Sequence, residues 1–91
     1  MGVDFDWDAY NITHIAEHGV EPEEAEEAVL DEEALFKGTY RGHSGERRTI
    51  CIGATSDGRV LFVVVASRRN AVRVVTARDA TGPERAEYRR K

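Results

Sequence analysis

The sequence has 91 residues, a length that accommodates one domain, 1–91, and leaves no room for a second hydrophobic core. Its net charge of −4 hides an asymmetry, because residues 1–40 carry 12 acidic groups and one basic group, whereas residues 41–91 carry 5 acidic and 12 basic groups. The longest apolar run, Val60–Ala66, is far shorter than the roughly 20 residues that span a bilayer, which excludes a membrane helix. The basic half favours a surface for a polyanion, although solvated charges that neutralise each other on folding would give the same composition.

The single cysteine and the N-terminal composition bear on where the protein acts. Cys51 has no second cysteine to pair with, so an internal disulfide is excluded. The apolar stretch around it favours a packed, inert thiol over a nucleophile. The N-terminus lacks the basic segment and apolar run of a signal peptide, so we expect a cytoplasmic protein.

The N-terminal third predicts a short strand followed by two helices. Val3–Trp7 alternates apolar and acidic residues, as a half-buried strand does. Asp8 is predicted to cap a helix from Ala9 to about His18, and Pro22 to open a second helix. The predicted buried stripes are Ile12, Ile15 and Ala16 in the first helix, and Ala25, Ala28 and Val29 in the second.

The remaining residues predict an antiparallel meander and a last helix, hence an α+β fold. A glycine-rich loop carrying His43 separates the first two strands, and Asp57-Gly58 is typical of a tight hairpin turn. Thr81 and Glu84 have the spacing of a capping box, which predicts a helix running to about Arg90. The predicted strands are Ala34–Tyr40, Arg48–Thr55, Val60–Ala66 and Ala71–Ala77.

Short blocks of this sequence, taken in order, resemble the BrnT-like toxin family. The blocks are FDWD, HGV followed by PEEAEEA, GERR ahead of Ile52-Gly53, RVVTARDAT, and the spacing from Glu84 to Tyr88. The resemblance implies a RelE-like fold with two N-terminal helices, an antiparallel meander and a C-terminal helix. It also implies a type II toxin–antitoxin toxin that cleaves RNA without a metal or other cofactor. The implied partner is a cognate antitoxin, a small DNA-binding protein that is typically dimeric.

Metal-free RNA cleavage needs a group that deprotonates the ribose 2′-hydroxyl, cations that neutralise the phosphorane, and a donor for the leaving oxygen. Arginine suits the second task, because its planar fork presents aligned donors to phosphate oxygens. On a regular strand Arg73 and Arg78, five residues apart, would point to opposite faces unless Arg78 lies beyond the strand end. Each arginine alone is equally consistent with a surface ion pair. The polar residues that the resemblance carries over are His18, Glu46, Arg48, Arg68, Arg73, Arg78, Glu84 and Tyr88.

The acid and the base are less well defined by the sequence. His18 is a candidate, because histidine changes charge near neutral pH, but its place near a helix end equally suits capping of carbonyl groups. Tyr88 shares a helix face with Glu84 and could donate a proton or simply pack. His14 and His18 lie four residues apart, which is a weak signal for zinc in the absence of further convergent ligands.

Two other hypotheses stay open alongside the ribonuclease. One is a non-catalytic module of the same fold that binds RNA or protein, favoured by Val65, where several members of the family have a polar or aromatic residue. The other is a homo-oligomer formed through the strand Ala71–Ala77 at a sheet edge.

Overall fold

The computed structural model describes residues 2–90 and is built around a four-stranded antiparallel sheet. Its strands, which follow one another across the sheet in chain order, are β1 (Leu35–Arg41), β2 (Arg47–Ala54), β3 (Val60–Arg68) and β4 (Ala71–Asp79). The helices are α1 (Ala9–Ala16), α2 (Pro22–Leu30) and α3 (Gly82–Arg90). The predicted α+β class, with two N-terminal helices, a meander and a C-terminal helix, is confirmed. None of the described helices is long and apolar enough to span a membrane.

Helix α1 is capped as predicted, but it ends at Ala16 and buries a different stripe. The carboxylate of Asp8 accepts hydrogen bonds from the backbone N–H groups of Tyr10 and Asn11, and the Asn11 side chain accepts one from the Asp8 N–H. Ile15 and Asn11 face inward, whereas Ile12 and Ala16 are exposed, so the predicted stripe is wrong for these two residues. The reason is that α1 lies along the edge of β4.

The edge of β4 explains the burial of a polar side chain. Asn11, only 2% exposed, donates from Nδ2 to the backbone oxygens of Asp6 at 3.0 Å and Val74 at 3.1 Å. A buried carbonyl at an open strand edge needs a donor, which an apolar side chain could not supply.

The predicted N-terminal strand is reduced to a single parallel bridge between Phe5 and Val72. The Asp6 N–H donates to the Val72 carbonyl, and the Val72 N–H donates to the Asp4 carbonyl, both at 2.9 Å. Residues 4–6 therefore occupy the open edge of β4 at Val72. The predicted pairing of β4 with a second chain stays a prediction.

The core lies between the sheet and helices α1 and α2. At its centre Gly53 on β2 allows very close approach of α2, because a Cβ there would lie 2.0 Å from the carbonyl oxygen of Ala28. Burial raises the pKa of the Cys51 thiol to about 12, as expected for a packed, inert cysteine. The buried core side chains include Ile15, Val20, Ala25, Ala28, Cys51, Leu61, Val63, Val74 and Ala77.

A β-bulge in β4 changes which side chains share a face. Val64 pairs with Thr76 and Val65 with Val74, which leaves Val75 without a partner on β3. Arg73 and Arg78 consequently lie opposite Ala66 and Phe62, which are four residues apart on β3. Arg78 does not lie beyond the strand end, since β4 runs to Asp79, but the bulge removes the alternation expected of a regular strand and leaves the two arginines on the same face.

Helix α3 begins with the predicted capping box. The Thr81 N–H donates to Glu84 Oε1 at 2.8 Å, and the Glu84 N–H donates to Thr81 Oγ1 at 3.3 Å. Lys37 on β1 donates to the carboxylate of Glu87, and the Tyr88 hydroxyl donates to Asp31 at 2.5 Å. These contacts tie α3 to β1 and to the residue that follows α2.

Candidate functional site

Four residues form a row across the sheet at one end of the strands. Tyr40 on β1 pairs with Arg48 on β2, Arg48 with Ala66 on β3, and Ala66 with Arg73 on β4. With strands about 4.8 Å apart, the two arginines start about 10 Å from each other, on either side of a small residue. Arg68 follows Ala66 by two positions and therefore lies on the same face.

These arginines line a recess that we call the arginine cleft. It lies between α1 and the β1–β2 hairpin, and its volume of about 470 Å³ is in the range of small-molecule pockets. Ala66, at 2% exposure, lies among the lining residues and leaves room between the longer side chains. The polar and aromatic side chains lining the cleft are Tyr10, Asn11, His14, His43, Glu46, Arg48, Arg68 and Arg73.

Carboxylates hold two of the three cleft arginines firmly. Arg48 Nη2 lies 2.6 Å from Glu46 Oε2, and Arg48 Nε donates to the same oxygen at 2.7 Å. Arg73 donates from both terminal nitrogens to Asp8, at 3.1 and 3.2 Å. A guanidinium carries five N–H donors, so each arginine keeps further donors beyond those that its carboxylate engages.

Arg68 is the least engaged of the three. Its nearest carboxylate oxygen, from Asp6, is 4.0 Å away, and its side chain is 52% exposed, against 15% for Arg73. The same Asp6 carboxylate lies 3.4 Å from Arg73. An incoming anion would meet the guanidinium of Arg68 with the least competition.

The pKa values of the two carboxyl groups that hold the cleft arginines, Asp8 and Glu46, are lowered. The Arg73 guanidinium is the main cause that lowers the pKa of Asp8, and Asp8 in turn raises the pKa of Arg73. The backbone N–H of Glu46 and then Arg48 lower the pKa of the Glu46 carboxyl. Because hydrogen bonds and cations stabilise the ionised form, these carboxylates orient the arginines and are weak proton acceptors.

Gly42 provides the space for the Arg48–Glu46 pair. A Cβ at this position would lie 2.3 Å from both Arg48 Nε and Glu46 Oε2. Any side chain here would therefore displace the pair that positions Arg48 in the cleft.

The structure brings together Arg48, Arg68 and Arg73, but it places Arg78 elsewhere. Arg78 donates to Glu84 at 2.9 Å, and its guanidinium carbon stacks 4.0 Å from the centre of the Phe62 ring. That guanidinium is the main cause that lowers the pKa of Glu84. This pair lies on the same sheet face but outside the cleft.

The remaining predicted residues, His18 and Tyr88, also lie outside the cleft. The His18 ring meets the His14 ring edge-on, with centroids 5.7 Å apart, and is exposed beyond the end of α1. The hydrogen bond to Asp31 is the main cause that raises the pKa of Tyr88 to about 12, which makes it a weak acid at neutral pH. Within residues 2–90, His14 and His18 have no third side chain of ligand type gathered with them.

Sequence reasoning missed Tyr10 and His14 as cleft residues. They lie one helical turn apart on α1, beside the buried Asn11, and His14 Nε2 is 3.1 Å from Thr76 Oγ1. Their spacing was visible in the sequence, but only the contact of α1 with the edge of β4 directs them to the arginines.

The protein is a small α+β domain that gathers arginines at one end of its sheet. Such an arrangement is suited to binding the phosphate groups of a polyanion. The chain belongs to the BrnT family, the ribonuclease toxins of type II toxin–antitoxin systems, whose sequence profile matches residues 7–84. Membership implies an RNA target and a cognate antitoxin. No curated protein sequence matched the chain at a significant level.

Proposed function

We propose that the arginine cleft cleaves RNA without a metal ion, and that a cognate antitoxin blocks this activity. The observation that carries the proposal is the convergence of Arg48, Arg68 and Arg73 on one recess of the sheet face. Guanidinium groups that are held before substrate arrives stabilise a developing phosphorane charge at little reorganisation cost.

In the proposed reaction the three arginines bind the scissile phosphate and stabilise the charge that builds up on its oxygens. Arg68 makes the first contact, since its carboxylate neighbour is the most distant. Arg48 and Arg73 contribute the donors that Glu46 and Asp8 leave available.

Two histidines on opposite walls of the cleft supply the proposed acid and base. His14 lies on α1, and His43 lies on the loop between β1 and β2. One would remove the proton from the 2′-hydroxyl and the other would protonate the leaving 5′-oxygen, a division of labour typical of metal-free ribonuclease chemistry. Glu46 is the less suitable base, because its pKa is lowered.

The test is cleavage of single-stranded RNA by the purified chain, freed of antitoxin, in the presence of a chelator. Arg68→Ala removes a cleft cation with little structural role, and Arg73→Lys keeps the charge but loses the two-pronged geometry. We expect each to lower the cleavage rate by about 10²-fold or more. Arg89→Ala, an exposed change on α3, is the matched control. Unchanged cleavage by both cleft variants would refute the proposed site.

A non-catalytic module of the same fold is the second candidate function. The observation that favours it is the pairing of Arg48 and Arg73 with carboxylates, which suits a preformed binding surface as well as a catalytic one. The His14→Gln and His43→Gln variants discriminate between the two, because a binding module would keep its RNA affinity and have no cleavage to lose. Each substitution should lower the rate of an enzyme by roughly 10²–10⁴-fold.

The proposed antitoxin is a small, dimeric DNA-binding protein that acts with the toxin in the cytoplasm. Co-expression of the neighbouring reading frame, followed by co-purification and loss of RNA cleavage, is the expected result. The RelE-like relation of the fold stays a prediction.

A further inference from the structure

Tyr10 on α1 is the most exposed aromatic residue in the described part of the chain, with 82% of its surface accessible. An aromatic ring stabilises a fold through the apolar area that it buries, so a ring this exposed contributes little to folding. A single exposed apolar side chain is common on protein surfaces and by itself indicates nothing. What distinguishes Tyr10 is its place at the mouth of the arginine cleft.

The mouth of the cleft is a recess of about 640 Å³ that shares most of its lining residues with the cleft. Tyr10 lines this recess on the α1 side, and Ser44 and Gly45 line it on the loop between β1 and β2. All three cleft arginines line the recess as well. An aromatic ring and three guanidinium groups therefore adjoin one space that is large enough for a small molecule.

Asp8 fixes the first turn of α1 to one of these arginines. Its Oδ1 accepts hydrogen bonds from the backbone N–H of Tyr10 at 3.0 Å and from Arg73 Nη2 at 3.2 Å. Its Oδ2 accepts one from Arg73 Nη1 at 3.1 Å. One carboxylate thus holds both a phosphate-binding guanidinium and the backbone that carries the ring. Groups held in place before a ligand arrives lower the ordering cost of binding.

We propose that Tyr10 stacks on the base of a nucleotide that adjoins the scissile phosphate of single-stranded RNA. The inference rests on the proposed function, since the phosphate would lie on the three arginines while the base lies on the ring. A cationic groove combined with an exposed aromatic ring is the arrangement that binds single-stranded nucleic acid, and stacking accepts every base. A duplex keeps its bases within the helix and cannot offer one to Tyr10.

The experiment measures the affinity for strands that cannot be cleaved. A short 2′-O-methyl RNA and the same sugar–phosphate chain with abasic residues are titrated against the protein. The two strands carry equal numbers of phosphates, so the difference between their affinities reports contacts with the bases. Tyr10→Ala should reduce the preference for the strand with bases by roughly fivefold to over a hundredfold, the effect of losing one stacked base. Its affinity for the abasic chain should be unchanged, which also shows that the variant is folded.

Two variants serve as controls for the ring itself. Tyr10→Phe keeps the ring and loses the hydroxyl, so it should retain the preference for bases. Phe36→Ala removes another exposed ring, 53% accessible, on the opposite face of the sheet, where Phe36 pairs with the core residue Cys51. This variant should bind both strands as the parent does. Equal losses of preference in Tyr10→Phe and Tyr10→Ala would overturn the stacking role.

The salt dependence separates stacking from charge. Tyr10→Ala removes no phosphate contact, so the slope of log affinity against log salt should stay the same. Arg68→Ala should reduce this slope by about 0.7, the value for one phosphate contact with a single strand. A reduced slope in Tyr10→Ala would show that the substitution disturbs the arginines, and would overturn the inference.

The outcomes keep this inference distinct from the proposed catalysis. Cleavage in the chelator assay, with a preference for bases that Tyr10→Ala leaves unchanged, would overturn the stacking role and leave the ribonuclease standing. A preference for bases that depends on Tyr10, without any cleavage, would support the stacking role and refute catalysis. If Tyr10→Ala loses the antitoxin but binds both strands as the parent does, the ring contacts a protein and the inference is wrong.

Discussion

The close contact between β2 and α2 gives a stability prediction whose sign and size follow from one glycine. In Gly53→Ala the new methyl group would lie 2.0 Å from the Ala28 carbonyl oxygen, 2.8 Å from its carbon and 3.2 Å from its Cα. All three are backbone atoms, so no side-chain rotation relieves the overlap. To reach the 3.0 Å that real Cβ atoms respect, α2 must move away from the sheet by about 1 Å.

We expect this displacement to cost about 3 kcal/mol of unfolding free energy, at the upper end of overpacking substitutions. For a chain of this size that corresponds to a fall of about 12–24 °C in Tm. Urea unfolding followed by circular dichroism measures the free energy, and calorimetry measures Tm.

The control is Gly82→Ala, whose methyl group would meet only the end of the Arg85 side chain at 4.0 Å. This variant should be as stable as the parent or slightly more so. Without the overlap, Gly53→Ala would itself stabilise the chain by about 0.4–1 kcal/mol, by restricting the unfolded state. Equal or higher stability of Gly53→Ala would therefore show that α2 does not contact β2 in this way.

Three further predictions concern the cleft, the acid response and α3. Gly42→Ala should leave Tm nearly unchanged, because the new methyl group meets only the ends of the flexible Arg48 and Glu46 side chains. The same variant should lower RNA cleavage by up to about 10²-fold, because it displaces Arg48 from the cleft. Full cleavage activity would contradict this prediction. Since the pKa of Glu84 is lowered in the folded state, its stabilisation is complete above the unfolded value of 4.5 and is lost as the pH falls through the lowered pKa. Thermal scans from neutral to acid pH should show a smaller fall in Tm for Glu84→Gln than for the parent. If Tm falls equally with pH in both proteins, ionisation of Glu84 does not contribute to stability. Tyr88→Phe should lower the unfolding free energy by about 1 kcal/mol in urea titrations and affect cleavage less than Arg73→Lys; the reverse order would place Tyr88 in the reaction.

Local signals in the sequence predicted the elements that depend on neighbouring residues. The capping box of Thr81 and Glu84 and the cap at Asp8 formed as expected, because each requires only a few adjacent residues. The apolar run starting at Val60 was recognisable for the same reason, since its composition alone favours a buried strand.

The features that sequence reasoning missed depend on contacts between distant segments. Asn11 is buried because the edge of β4 needs a donor, which no helical pattern reveals. The inclusion of Tyr10 and His14 in the cleft follows from the same docking of α1. The bulge at Val75 was hidden because it lies in a run of β-branched residues that any regular strand would accept.

Because Val75 is unpaired, the curvature of β4 can be changed without changing the charged residues of the strand. Since Thr76 already pairs with Val64, and Val74 with Val65, excising Val75 would preserve each of these cross-strand partners. Arg73 would still lie opposite Ala66, so the charged side chains at this end of the sheet would keep their positions along the strands. The bend and extra twist that a bulge introduces would disappear, together with the contribution of Val75 to the lining of the cleft. A one-residue deletion thus provides a way to ask whether the shape of the strand, independently of its guanidinium groups, governs what the protein binds.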